Sequence, residues 1–400
     1  MKKLLYFLLF SLLLVSCKDD FDIGKLQDAS RLVVYCFPTV GDTTIIMVTK
    51  SVPVATAKGE RDVLTQQPVD ADIIYKVNGE EYPVKKIATE EEAKKISHSE
   101  EEYYNKQVMG QYYVVGKQKA GDNVSVEVNA DGLQPVFAAT YIPLSVNVRI
   151  EKSSFKDVNV YSGLDHIWAS FVDEGDLKDY YSVKVRKKHT EGAVIGIDPN
   201  HYHYQEPVYV YDVDNYKAIN KETPGMVWSF DSLFQANYLV SIDTEKEPVF
   251  NQTTKIDEDL GFDDYSYYAL SYIFDDHLFN GKKYTLHLNL ASIYGNNYYY
   301  YSGWDRMFGF TYSVELYKLT PEYYRYLSSI NSAQSNSWAE AGIMQVTPTY
   351  SNVKGGFGVV AGYNATTDSI RIEPSGDEDD RWTTLGNLKY KGGIDNESKQ

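Results

Sequence analysis

The chain has 400 residues, enough for two domains with a sizeable core, and carries 56 Asp and Glu against 39 Lys and Arg, a formal net charge of −17. That balance excludes a nucleic-acid-binding protein, which needs clustered cations against phosphate, and it excludes electrostatic docking on anionic lipid. Tyrosine is the compositional outlier at 36 residues, and an abundance of strand-favouring aromatics with polar tips points to a β-rich extracellular protein and away from a helical enzyme.

The chain opens with MKKLLYFLLFSLLLVSC. Lys2 and Lys3 form a cationic start, and Leu4 to Val15 is an uncharged apolar run. Such a run fits a signal peptide and is too short to span a bilayer as a helix. Its end, Leu14-Val15-Ser16-Cys17, resembles the lipobox of bacterial lipoproteins. That resemblance implies cleavage before Cys17 and acyl chains on its thiol and amine, anchoring the protein in outer-membrane lipid; two or more chains hold a membrane stably where one does not. Lys18-Asp19-Asp20-Phe21-Asp22 follows and resembles the export signal of Bacteroidota surface lipoproteins, which implies an outer membrane location facing the cell exterior. Residues 1–16 therefore read as signal peptide and 17–30 as a lipidated acidic tether.

Strand candidates follow at Arg31 to Pro38 and Thr43 to Ser51. Val69 to Val77 alternates and meets Asn78-Gly79, a hairpin signal, before Glu81 to Val84. Thr89-Glu90-Glu91-Glu92 fits a capping box and predicts a short helix or acidic loop. Gln111 to Lys117, Asn123 to Val128 and Val136 to Ile142 complete a sandwich over residues 31–143. Cys36 lies in an apolar run and reads as a buried strand residue; with Cys17 taken by lipid, no intramolecular disulfide can form. A second series covers 144–374, with strands at Ser145 to Ile150, His166 to Val172, Tyr180 to Lys187, Glu206 to Tyr211, Lys283 to Leu290, Phe308 to Leu319, Gly358 to Gly362 and Ser369 to Ile372. One helix is expected, capped by Thr320 with Pro321 in its first turn. Tyr323, Tyr326, Leu327 and Ile330 share one of its faces. Residues 375–400 read as a flexible acidic tail. The fold class is thus mostly β: an N-terminal immunoglobulin- or transthyretin-like sandwich followed by a larger C-terminal β-sandwich domain with one amphipathic helix.

Four features resemble the Bacteroidota outer-membrane lipoproteins grouped as domain-of-unknown-function family 4249. They are the lipobox followed by Arg31-Leu32-Val33-Val34; the passage from Gly110-Gln111-Tyr112-Tyr113 through Gly121-Asp122 to Ala138–Pro143; Ser313-Val314-Glu315-Leu316 leading into Tyr323–Leu327; and Pro348–Gly362, with its asparagine, glycines and short apolar strand. The resemblance implies the two β-domains above. It also implies a setting beside TonB-dependent receptors and an accessory role in nutrient uptake, with no catalytic residues and no cofactor to carry over.

Few side chains suggest chemistry. His201-x-His203-x-x-Glu206 has metal-like spacing, since His201 and His203 share a strand face; the alternative is a polar His/Tyr segment, and no metal is expected. The acid pairs Asp257-Glu258-Asp259, Asp263-Asp264 and Asp275-Asp276 read as solvated loops. Gly355-Gly356-x-Gly358 runs into a strand, not a helix, so it reads as a turn or bulge and not a phosphate cradle. No G-x-S-x-G, P-loop or H-E-x-x-H pattern occurs. The candidate ligand-binding residues are Tyr298, Tyr299, Tyr300, Tyr301 and Trp304, which in an extended segment present aromatic faces to a peptide, glycan or small molecule; tyrosine packing is the alternative. The function expected is a non-catalytic accessory or binding lipoprotein of a TonB-dependent uptake system. The rivals are a surface hydrolase with a dispersed or metal-dependent site, and a structural or adhesive surface protein.

Overall fold

A computed structural model describes residues 30–51, 68–96, 108–155, 165–175, 177–197, 208–210, 228–244, 247–250, 272–291, 309–334 and 348–373. The first series of elements is β1 (Leu32–Cys36), β2 (Gly41–Lys50), β3 (Asp72–Val77), β4 (Glu80–Tyr82), β5 (Val84–Lys86), helix α1 (Glu90–Ile96), β6 (Tyr112–Gln118), β7 (Asn123–Asn129) and β8 (Val136–Tyr141). Asn78 and Gly79 both have positive φ, 51° and 88°, and turn β3 into β4 as a primed hairpin. The capping box closes as expected: the Glu92 N–H donates to Thr89 Oγ1 at 3.2 Å and the Thr89 N–H to Glu92 Oε2 at 3.2 Å.

The second series is β9 (Arg149–Ser154), β10 (Asp165–Val172), β11 (Tyr180–Ile197), β12 (Val208–Val210), β13 (Trp228–Asp243), β14 (Tyr272–Asp275), β15 (Lys283–Ala291), β16 (Phe310–Leu319), helix α2 (Pro321–Gln334), β17 (Phe357–Val360) and β18 (Tyr363–Ile372). The molecule is mostly β. Strands β13 and β14 are additions to the sequence reading, and β11 and β18 run longer than expected.

Two sheets face each other in the N-terminal sandwich, ordered β17-β1-β2-β6-β5 and β4-β3-β7-β8. Leu32, Val34, Cys36, Ile46, Val48, Tyr75, Val77, Val114, Val124, Val126 and Val128 fill the space between them. The period-two alternation of these strands puts their apolar side chains on that inner face. The edge strand β17 comes from the far end of the chain. It pairs in parallel with β1, Val33 to Phe357 through Cys36 to Val360, although its position in sequence puts it with the second series. Asn352 guards its outer edge, donating to the Val360 carbonyl at 2.8 Å and accepting the Val360 N–H at 2.9 Å. Such a bidentate cap leaves no ladder for another strand at that residue.

The glycines of this passage are packing residues. A Cβ on Gly358 (φ +98°) would lie 2.1 Å from the Val34 carbonyl oxygen, and one on Gly362 would lie 1.9 Å from that of Tyr141. The expectation of a turn or bulge at 355–358 is met at Gly355 (φ +86°). Gly358 instead lies within strand β17, where backbone runs against backbone.

Cys36 is fully buried, and desolvation pushes its thiol far above the ordinary range. In the unacylated chain from residue 18 onward, Cys36 is therefore expected not to react with Ellman's reagent at pH 8 until denaturant is added. Stoichiometric labelling of the folded protein within minutes would contradict this burial.

Helix α2 begins as read. The Tyr323 N–H donates to Thr320 Oγ1 at 3.4 Å, and the helix lies between the two domains. Tyr323 stacks on Phe37 at 4.8 Å and Tyr326 meets Tyr35 at 5.9 Å on the sandwich side, while Tyr324 meets Tyr180 at 4.6 Å on the other. Below the helix the chain crosses between domains twice, at 142–148 and at 361–366. The second crossing bonds to the end of β8 and to the first crossing: the Gly362 N–H to Thr140 Oγ1 at 3.0 Å, Asn364 Nδ2 to the Pro143 carbonyl at 3.0 Å, and Thr366 Oγ1 to the Val146 carbonyl at 2.5 Å.

The second domain encloses its core with a single sheet, ordered β18-β16-β11-β13-β15-β10-β9, with β12 and β14 also paired to β11. The sheet wraps until β9 lies beside β18. Side chains bridge this seam: the Val148 N–H donates to Thr366 Oγ1 at 3.2 Å and the Ile150 N–H to Asp368 Oδ2 at 2.7 Å. Ile167, Ala169, Phe171, Val183, Val185, Val240, Leu286, Leu288, Val314 and Leu316 point inward. This nearly closed barrel has two unlike ends.

Candidate functional site

One end of the barrel is locked by charge pairs. Asp173, 2 % exposed, accepts the Tyr181 hydroxyl and the Gly281 N–H at 2.7 Å. Asp276, equally buried, accepts the Asp179 N–H at 2.9 Å and Asn280 Nδ2 at 2.8 Å. Asp179 pairs with Lys318 at 2.6 Å. Burial raises the Asp179 carboxyl above the usual aspartate value, and the Lys318 partner offsets this only in part. The Asp275-Asp276 pair is therefore not a solvated loop as the sequence suggests. Asp276 ties two loops together, and Asp275 pairs with Lys178 at 2.8 Å.

Polar groups enter the interior at the opposite end. On β11 the alternation that buries Tyr181, Val183 and Val185 continues through Lys187 and His189, so these too face inward. Lys187 is 4 % exposed and its Nζ sits 4.3 Å from the centre of the Phe310 ring. Phe310 meets Tyr312 edge-on at 5.3 Å. The Tyr312 hydroxyl crosses the interior to Asp165 Oδ2 at 2.9 Å, and Asp165 is 1 % exposed. Phe155 stacks on Tyr312 at 5.6 Å, and Tyr238 stands against His189 at 5.3 Å. Tyr238, paired across from Lys187, is 36 % exposed and forms the rim. Strands β9, β10, β15, β16 and β18 all begin or end at this level, while β11 and β13 pair on together as far as Ile197 and Trp228.

This end of the barrel is the candidate binding site. Barrel mouths with apolar walls and a few placed polar groups are a recurrent ligand position. Here the walls are aromatic, and the buried cation and the buried carboxylate come from different strands. Lys187 and His189 escape a reading by motif because each looks like a surface residue. The legible signal is the unbroken alternation Tyr181, Val183, Val185, Lys187, His189.

Two other places are weaker candidates. Trp168 stands on the outer face of β10 with Lys152 of β9 4.7 Å from its ring and His287 of β15 stacked at 4.5 Å. Those partners come from strands on opposite sides of β10, so the indole is flanked on both sides and is not a stacking platform. Two shallow depressions of about 390 and 420 Å³ lie on the outer face of the four-stranded sheet, beside Ser125 and Ala139 and beside Phe137 and Lys354. Their one buried polar side chain, Thr140, already accepts the Gly362 N–H.

The residues singled out from sequence fall elsewhere. Cys17, the set His201, His203 and Glu206, and Tyr298, Tyr299, Tyr300, Tyr301 and Trp304 all lie outside the described residues. The last group belongs to the segment joining Ala291 at the end of β15 to Gly309 before β16, and both of these flanking residues are at the polar end of the barrel. Among the described residues no helix is long and apolar enough to cross a membrane.

No curated protein and no solved structure matches the chain. The sequence model of one family, described as Domain of unknown function (DUF4249), matches residues 18–369, and the chain belongs to that family.

Proposed function

We propose that the protein is a surface-exposed, outer-membrane lipoprotein that acts without catalysis, as an accessory and binding component of a TonB-dependent nutrient uptake system. The observation that carries the binding role is the polar barrel end, where Lys187 and Asp165 are held beside an aromatic wall. Hydrogen bonds and ring contacts of this kind position a ligand, and side-chain pairing of Asp165 with Tyr312 keeps the wall in place. The anchoring role rests on Met1 to Cys17 and on the acidic segment Lys18 to Asp22, which resemble a lipobox and a surface-export signal.

The test is a deletion strain assayed for uptake across a panel of vitamins, cofactors, sugars and peptides, with Cys17→Ser as a second strain. At least one uptake is expected to fall in both strains, and Cys17→Ser is expected to lose incorporation of labelled palmitate. Uptake unchanged for every nutrient would sink the accessory role. Undiminished palmitate labelling in Cys17→Ser would sink the anchor.

A further inference from the structure

We infer that the loop pair at the locked end of the barrel docks on the bilayer surface, with Leu177, Val172 and Leu278 seated among the lipid headgroups and upper acyl chains. This rests on the membrane anchoring proposed above and adds a second contact to it. The loops join β10 to β11, over 173–179, and β14 to β15, over 276–282. Leu177 is 76 % exposed, Val172 59 % and Leu278 46 %. Apolar side chains scattered singly over a surface need no explanation. These three stand on, or at the head of, two loops bonded into one unit. The Gly281 N–H donates to Asp173 Oδ2 at 2.7 Å, the Asp179 N–H to Asp276 Oδ2 at 2.9 Å, and Asn280 Nδ2 to the Leu177 carbonyl at 3.2 Å. A Cβ on Gly175 would lie 2.7 Å from Gly281 Cα, so backbone packs on backbone between the loops.

Loops held this firmly cannot fold their leucines back. The second loop already gives Phe279 to the core, where it meets Phe171 edge-on at 5.3 Å, and Leu278 beside it is left outside. The cations around the tips select a bilayer as the occupant. Lys178, Lys282 and Lys283 are exposed, and Glu174 is the exposed acid among the described residues of the two loops. This is a local excess of cations on a chain whose net charge is −17. Lys178 pairs with Asp275 and Lys283 with Glu151, both at 2.8 Å, and both ammonium groups still reach solvent. Lysine stems lie along apolar surface while their heads meet headgroup phosphates. Apolar tips ringed by lysine thus match an interface that is apolar below and anionic at the phosphate level. Three apolar side chains make a contact weaker than one acyl chain. On a chain already tethered, the high local concentration of lipid converts that weak contact into a fixed orientation.

The probe is a vesicle of phosphatidylcholine, zwitterionic so that the chain's net charge neither helps nor hinders. It is sedimented with the unacylated mature chain carrying Cys17→Ser. Half of the chain is expected to pellet at about millimolar lipid. Leu177→Ser and Leu278→Ser together are expected to raise that lipid concentration by about tenfold or more. Val115→Ser, which removes an exposed valine from the sandwich, is expected to leave it unchanged. A Leu177→Cys chain labelled with the environment-sensitive fluorophore NBD gives a second readout, because Cys36 is buried and escapes the label. Its emission is expected to shift to the blue when vesicles are added. Four results would overturn the inference: no pelleting of the folded parent, pelleting untouched by the double variant, an unshifted NBD emission, or pelleting without vesicles that Leu177→Ser abolishes. The last would mean that the tips join a second copy of the chain. The chain tested carries no lipid, so the palmitate assay and this one fail separately.

Discussion

Gly358→Ala is expected to lower stability by about 4 kcal/mol or more, at the extreme of single substitutions. Two effects act together. The residue sits at φ +98°, which a side chain rarely adopts, and a Cβ there would lie 2.1 Å from the Val34 carbonyl oxygen and 2.8 Å from the Val34 nitrogen. The neighbour is backbone of a paired strand, so it cannot rotate away, and relief requires β17 to leave β1. Gly121→Ala separates the two effects. Gly121 has φ +89° with nothing within 4 Å of its Cβ position, so it carries conformational strain alone, about 1–3 kcal/mol. Urea denaturation followed by circular dichroism measures both. A Gly358→Ala protein within about 1 kcal/mol of the parent would mean that β17 is not packed against β1 as described.

The second large effect concerns the sandwich as a unit. A fragment of residues 30–143 is expected not to fold stably. It lacks β17, so β1 becomes an open edge along Leu32–Cys36, and the core loses Val353 and Val360, 6 % and 0 % exposed. Burial of two valines is worth roughly 1.5–3 kcal/mol each, a large part of the 5–15 kcal/mol that typical domains possess. It also strips α2 from Tyr35 and Phe37. A permuted fragment, residues 348–361 followed by a flexible linker of about a dozen residues and then 30–143, is expected to recover a cooperative transition. The linker must run back along β1, because parallel strands need a crossover. A sharp, two-state unfolding curve for 30–143 alone would contradict this dependence on β17.

Much of the architecture is legible from periodicity. The alternation of β6, β7 and β8, the Asn78-Gly79 turn, the Thr89 to Glu92 capping box and the Thr320-Pro321 helix start all follow from local chemistry. The placement of β17 does not. Phe357–Val360 is a four-residue strand with no register information of its own, and its partner is more than 300 residues away in the chain. The partial closure of the barrel is hidden for a similar reason, since its seam depends on the Thr366 and Asp368 side chains reaching Val148 and Ile150. At the barrel mouth the difficulty is residue type. Lys187 and Asp165 belong to no motif, and what shows them inside is burial: Lys187 continues the inward face of β11, and Asp165 of β10 accepts the Tyr312 hydroxyl across the interior. Asp276 makes the same point from a loop: a paired acid that reads as solvated is a buried acceptor.

The measurement that tests the central claim most directly is a co-purification from native outer membrane. The protein, tagged at its C-terminus, is solubilised in mild detergent and recovered, and its companions are identified and quantified. The expected result is a TonB-dependent receptor in about equal amount, retained by the parent and absent from a mock pull-down. Recovery of the lipoprotein alone, from membranes in which the candidate receptors are present and intact, would contradict the accessory role and bring the hydrolase and adhesin readings forward.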